Sequence, residues 1–317
     1  MNGRFQRILV TGATGFMGHH VVAALRGAFG DAAILAVGSR DADLLRPGEP
    51  DRLLRETRPD GVVHLAAKSG GILANREQPA DFFYENVVMN THVFEAAFRH
   101  GAKKFLTFMG GCSYPARAVS PIGEGQMWEG FPQMESAGYS MAKKMNLVQS
   151  WAYRVQHGFN SVVLIPGNVY GEWDNFNERE AHAVPALIRR CVEARERNAP
   201  RIAVWGSGRP VRDFVYAGDV AALVPWFLEH YDSSEPVNLS TGRGISIREL
   251  AGILCRLAGY AGGIAWDETK PDGQMEKIFD VSRLRGLGLS CPTPLEEGLR
   301  RTLDWFLAAR KDGTVRL

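Results

Sequence analysis

Cysteine is scarce in this chain: 4 among 317 residues, namely Cys112, Cys191, Cys255 and Cys291. They stand far apart and form no CxxC pair, so neither a zinc cluster nor a disulfide framework is indicated, and no metal site is expected. An excess of one charge is also missing. The 37 basic residues nearly balance 35 acidic ones, for a formal net charge of +2. They are scattered, which argues against a nucleic-acid footprint or a membrane-binding patch. No apolar run is long enough to span a bilayer, and no signal-peptide pattern precedes the first strand. Low-complexity linkers, repeats and charge blocks are absent as well. What remains, at 45% hydrophobic and 23% charged residues, has the composition of an ordinary packed protein, and a cytoplasmic enzyme is the expectation.

The first half alternates strand and helix signals, the pattern of a parallel sheet. Strands are expected at Arg7–Thr11, Ala33–Val37, Gly61–Ala66, Lys104–Met109 and Ser161–Ile165. Helices are expected at Gly15–Arg26, Pro79–His100 and Tyr139–His157. Single-helix crossovers imply a doubly wound α/β Rossmann sheet. After Pro166 the rhythm loosens, with helices at Val184–Arg197, Val220–His230 and Ile247–Gly259 and strands at Arg201–Trp205 and Pro236–Ser240. The expected division is a cofactor-binding domain over 1–165, with segments near 213–242 returning to its sheet, and a smaller α+β substrate lobe over 166–317.

Gly12-Ala13-Thr14-Gly15-Phe16-Met17-Gly18 lies between the first strand and its helix. Glycines there permit a tight turn and bring backbone N–H groups and a helix N-terminus to a pyrophosphate. Gly-rich turns also arise from packing, but at the first strand-to-helix turn this one marks a dinucleotide site. The second strand runs into Ser39-Arg40-Asp41. An acidic residue directly after it would bond a ribose 2′-hydroxyl, whereas Ser39 and Arg40 can clamp a 2′-phosphate. NADP is therefore expected, with NAD the alternative and a solvated surface Arg the bland reading. Leu65, Ala66 and Ala67 end the third main strand, small enough to run under a cofactor ribose or simply to pack.

Tyr139-Ser140-Met141-Ala142-Lys143 is YxxxK on a helix, with both ends on one face. A lysine ammonium near a phenol lowers its pKa, which suits proton exchange with a carbonyl or alcohol oxygen. Together with HLAAKSGGILAN from His64, CSYP from Cys112, PGNVYGEWDNF from Pro166, HAVPALIRR from His182, WGSGRPVRDFVYAGDVA from Trp205, KPDG from Lys270 and DVSRL from Asp280, the chain resembles the GDP-L-fucose synthases. These are GDP-4-keto-6-deoxymannose 3,5-epimerase/4-reductases of the extended short-chain dehydrogenase type, and the resemblance covers nearly the whole chain.

The resemblance implies Tyr139 and Lys143 as proton donor and helper in reduction at C4, and Cys112 and His182 as the acid–base pair for epimerisation at C3 and C5. It places Pro166, Asn168 and Val169 beside the cofactor, and Arg190, Trp205, Arg212 and Lys270 around a nucleotide diphosphate, with GDP the expected nucleotide. It also implies a homodimer through a four-helix interface that buries Met141, Met145, Leu147, Val148 and Trp151. Left to themselves, Cys112 reads as a small buried hydrophobe, Arg190 as a surface charge and Trp205 as a core aromatic. Two positions depart from the family. Gly110 stands where a Ser or Thr hydroxyl holds the substrate oxygen. Ser113 is an imperfect replacement, because strand alternation would turn it away from a pocket that Cys112 faces. Glu276 stands where a basic residue is usual. The competing readings are therefore an epimerase without efficient net reduction and, from another class, a non-catalytic nucleotide-sugar or NADP binder.

Overall fold

A computed structural model describes residues 5–270 and 272–317; residues 1–4, and Pro271 within the KPDG run, lie outside the described residues. The first half is built from β1 (Ile8–Thr11), α1 (Phe16–Phe29), β2 (Ile34–Val37), α2 (Glu49–Thr57), β3 (Gly61–His64), α3 (Ile72–Glu77), α4 (Pro79–Arg99), β4 (Lys104–Phe108), α5 (Ala137–His157) and β5 (Ser161–Pro166). There follow β6 (Asn168–Tyr170), α6 (Ala183–Glu196), β7 (Arg201–Trp205), β8 (Val211–Arg212), β9 (Phe214–Tyr216), α7 (Ala217–His230) and β10 (Val237–Leu239). The last elements are β11 (Ile245–Ser246), α8 (Ile247–Leu257), β12 (Gly263–Asp267), β13 (Glu276–Lys277), α9 (Ser282–Gly286) and α10 (Leu295–Lys311).

Six strands form one parallel sheet in the order β10-β5-β4-β3-β1-β2. β1, β3, β4 and β5 are buried at every position, as continuous apolar strands must be when helices cover both faces. The order reverses at β1, which has β2 on one side and β3 on the other. That reversal opens a crevice at the carboxyl ends of β1 and β3, where doubly wound sheets take ligands. The late strand β10 pairs with β5 from Val237↔Leu164 to Leu239↔Pro166, and α7 packs on α1. Residues past Pro166 thus complete the main sheet and one of its helical layers.

A second core gathers α6, α8 and α10 around β7, through Leu187, Ile188, Leu250, Leu254, Leu299 and Phe306 among others. The sequence reading places no helix beyond Gly259, yet α10 is well specified. Glu296 and Glu297 sit in its first turn and Arg310 and Lys311 in its last, each sign complementing the helix dipole. Packing also brings together two thiols that look remote in sequence. The Sγ atoms of Cys191 on α6 and Cys255 on α8 lie 3.6 Å apart, both unoxidised.

Candidate active site

The Gly12–Gly18 turn fills the crevice, and its glycines answer to backbone crowding. Gly12 has φ +71°, and a Cβ there would lie 2.6 Å from the Ala66 nitrogen. A Cβ on Gly18 would lie 2.2 Å from the Gly12 carbonyl oxygen. Leu65 and Ala66 therefore run directly against the turn, with Ala67 next in the chain. The N-terminus of α1 has neither a side-chain cap nor an acidic residue in its first turn. Its free N–H groups and positive dipole end suit a pyrophosphate, so the residues present fit a dinucleotide. Next to the turn, Asp41 is committed to its own loop, its carboxylate accepting from Gly38 N–H at 2.7 Å. Ser39 and Arg40 are exposed, and Arg40 has no ion-pair partner among the described residues. Nothing there opposes a 2′-phosphate.

Beneath the turn lies a polar network that sequence reasoning did not find. His64 Nδ1 meets Thr11 Oγ1 at 2.7 Å and His64 Nε2 meets Asn90 Oδ1 at 2.9 Å, all three residues buried. Burial pushes the imidazole pKa down to about 3, and the Lys143 charge adds to the effect, so His64 stays neutral. Period-2 and period-3.6 patterns mark all three positions only as core.

Helix α5 carries Tyr139 and Lys143 toward the end of β4. There the chain leaves the strand at Phe108 and turns through a short 3₁₀ segment, Gly111–Ser113. Strand alternation therefore does not govern Cys112 and Ser113, which corrects the sequence expectation. Cys112 is half-buried and Ser113 wholly buried, its Oγ without a hydrogen-bond partner among the described residues. Ser140 Oγ pins the segment by donating to the Cys112 carbonyl at 3.1 Å. Gly110 has φ −86° and ψ 145°, backbone that any residue adopts. A Cβ built on it enters a narrow gap, closer than ordinary contact to Cys112 Sγ at 3.1 Å and to Tyr139 Cε1 at 3.3 Å, with the Tyr139 hydroxyl at 3.7 Å.

The charges around this gap are mutually adjusted. Burial pushes the Lys143 ammonium down to about 8, with neighbouring Cys112 pulling the other way. Burial, and then Cys112, raise the Tyr139 phenol. His182 caps the N-terminus of α6, and protein packed around it lowers its pKa below the usual 6.5. Its side chain keeps an open solvent face, so hydration limits the shift, and the imidazole is mainly neutral at pH 7. The segment before it is tied down by Gly71, whose N–H donates to the Glu180 carbonyl at 2.8 Å.

Beside β7, Arg190 and Trp205 line an open groove of about 340 Å³. Trp205 is 51% exposed, so it is not the core aromatic its strand pattern suggests. Lys270 Nζ lies 5.7 Å from its ring centroid. Arg212 is half-buried near Asp272, and Asn168 Nδ2 donates to the Asp213 carbonyl at 2.8 Å. Pro166 ends β5, and Val169 sits in β6. The departure at position 276 changes its meaning here. Glu276 is exposed, while half-buried Lys277 is lowered by burial and feels Cys112 and Arg212. β13 thus turns its acidic residue outward and its basic one toward the site. Lys277 went unnoticed because a two-residue strand has no periodicity to read.

The pattern of the NAD dependent epimerase/dehydratase family matches residues 8–240. The GDP-L-fucose synthase of Sinorhizobium fredii is 38% identical over 303 residues, 96% of each chain. That of Escherichia coli is 34% identical over 311 residues, covering 95% of this chain and 97% of its own. Among solved structures, a GDP-L-fucose synthetase from Naegleria fowleri bound to NADP superposes with a TM-score of 0.90 at 29% identity, covering 100% of this chain and 98% of its own.

Proposed function

The chain belongs to the NAD-dependent epimerase/dehydratase family, in its GDP-L-fucose synthase group, and from that premise we propose that it epimerises and then reduces a GDP-linked 4-keto-6-deoxy sugar with NADPH. The observation that carries this reading is the convergence of Tyr139 and Cys112 on one gap at the sheet's carboxyl edge, beside the dinucleotide turn.

In the first stage the 4-keto group acidifies the protons on C3 and C5. Cys112 and His182 act as acid and base on opposite faces of the ring, where a neutral imidazole can accept a proton. In the second, the reducing equivalent for C4 would be the hydride of an NADPH held at the Gly12–Gly18 turn. Tyr139 gives its proton to the C4 oxygen, and the buried Lys143 ammonium, charged below about pH 8, stands one helical turn along on the same face. Gly12 to Gly18 hold the pyrophosphate, Ser39 and Arg40 the 2′-phosphate. Leu65 to Ala67, Pro166, Asn168 and Val169 border the ribose and nicotinamide. Arg190, Arg212, Lys270 and Lys277 receive the GDP phosphates, and Trp205 stacks on the base. The dinucleotide half (1–165, with 213–242) and the lobe over 166–317 enclose the sugar between them.

The protein works as a cytoplasmic homodimer. Met145, Val148, Trp151 and Val155 are exposed along α5, and Phe83 and Tyr84 on neighbouring α4, an apolar face suited to a second copy. Leu147, expected on that face, is buried at 8% exposure and packs inward. A dimer mass in light scattering at micromolar concentration is the expected result.

Incubation with NADPH and GDP-4-keto-6-deoxymannose in deuterated water tests the reaction. Cofactor oxidation with deuterium at C3 and C5 is expected. Deuterium without oxidation would reduce the activity to epimerisation, and binding without either would remove catalysis altogether.

A further inference from the structure

Trp173 has a backbone that its side chain should avoid. Its φ is +62°, the left-handed region, which a bulky residue rarely enters and which Gly or Asn occupies at little cost. The ring is held in place from several sides. It stacks on His19 at 5.0 Å between centroids and 14° between planes, meets His20 edge-on at 5.1 Å, and touches Trp305 at 5.8 Å. The flanking residues are fastened to the same helix. His20 Nε2 meets the Glu172 carbonyl at 3.1 Å. A Cβ on Gly171 would lie 3.3 Å from His20 Nε2 and 3.5 Å from Phe16.

Trp305 lies on α10, but His19, His20 and Phe16 belong to the first turns of α1, the helix whose N-terminus forms the dinucleotide turn, and the His19 ring also faces the Thr14 carbonyl within that turn. In the other direction, nine residues on from Trp173, the chain reaches His182. The strained residue therefore joins the cofactor turn to the segment that delivers the acid–base histidine.

We propose that Trp173 is a positioning residue that seats the 171–181 segment, and with it His182, on the cofactor helix, so that cofactor binding orders the acid–base side of the sugar site. The proposal rests on the roles given above to the Gly12–Gly18 turn and His182. The stack on His19 compensates the left-handed backbone, and order imposed on α1 by a bound dinucleotide passes through that stack to the segment. A tryptophan serving packing alone would give no such link.

Backbone amide exchange tests this without any sugar substrate. NADPH added to the wild-type protein should slow exchange over 174–181, by roughly 5- to 150-fold, the usual range of coupling between two sites. Trp173→Asn keeps a left-handed-tolerant residue and removes the ring. It should bind NADPH, followed by fluorescence in the same samples, yet show less than about twofold slowing, while Trp173→Phe restores part of the effect. If Trp173→Asn does not fold, His19→Ala breaks the stack from the other side with the same expected loss. Equal slowing in wild type and variants, or none in wild type, would overturn the proposal. A wild-type protein that binds no nicotinamide cofactor would overturn the functional reading and this inference together.

Discussion

Two glycine turns lie at the carboxyl edge of the sheet, and they are glycine for different reasons. In the Gly12–Gly18 turn the backbone leaves no room. Gly12 is left-handed, and side chains at 12 or 18 would strike main-chain atoms at 2.6 and 2.2 Å. At Gly110 the backbone is extended, and an added Cβ would meet only side-chain atoms, the nearest at 3.1 Å. The first turn is glycine because the fold requires it. At the second the backbone admits any residue, but the Cys112 Sγ and the Tyr139 ring, 3.1 and 3.3 Å from an added Cβ, would have to give by a few tenths of an ångström, so side chains and not main chain set the limit there.

The largest effects should come from the groups around Gly110. Cys112→Ser should suppress deuterium exchange at C3 and C5 by about 10²–10⁴, the usual cost of one general acid or base, with NADPH affinity nearly unchanged. Unaltered exchange would make Cys112 a packing residue and leave the second turn without chemistry. Gly110→Ser sharpens the contrast directly. Its hydroxyl would enter the gap beside Tyr139 and speed NADPH-dependent reduction, by on the order of 10²-fold if a preorganised donor is what the site lacks. Stopped-flow oxidation of NADPH reads this, and no gain would mean that the gap already holds an equivalent donor.

Gly12→Ala should fail where Gly110→Ala succeeds. The former forces a left-handed backbone and a main-chain collision, costing a few kcal/mol in stability and cofactor affinity; the latter displaces only the Cys112 and Tyr139 side chains and should cost less in urea, about 1 kcal/mol. Comparable losses at the two sites would erase the distinction. Lys143→Met should separate stability from function. The folded pKa of about 8 lies below the unfolded 10.5, so the buried ammonium burdens the fold at neutral pH and that burden lifts as pH rises from 8 to 10.5. The variant should lose reduction yet gain up to about 3 kcal/mol at pH 7, read by urea denaturation. The smallest effect belongs to the rim of the first turn. Arg40→Ala should cost about 1.5–3 kcal/mol in NADPH binding and far less in NADH binding. Equal losses in parallel titrations would remove the 2′-phosphate contact.

The sheet was legible in the residues because its strands are short apolar runs buried on both faces and its helices have wide apolar stripes. YxxxK and the glycine turn were legible for a similar reason, since each packs its chemistry into a few adjacent residues. Other parts had no local signature. Lys277 sits on a two-residue strand, and Thr11, His64 and Asn90 come from three elements. Trp173 read as one letter of a family run, with nothing to reveal a left-handed backbone.

The doubly wound sheet, the glycine turn and the family membership that suggests roles for Tyr139, Lys143, Cys112 and His182 could all be read from residue order, because periodicity and contiguous motifs are local properties. Which glycines are obligatory, which way Glu276 and Lys277 point, and how Trp173 meets α1 emerge from the folded chain alone. Those are questions of distance between residues far apart in the chain, and close packing alone brings such residues within a few ångströms.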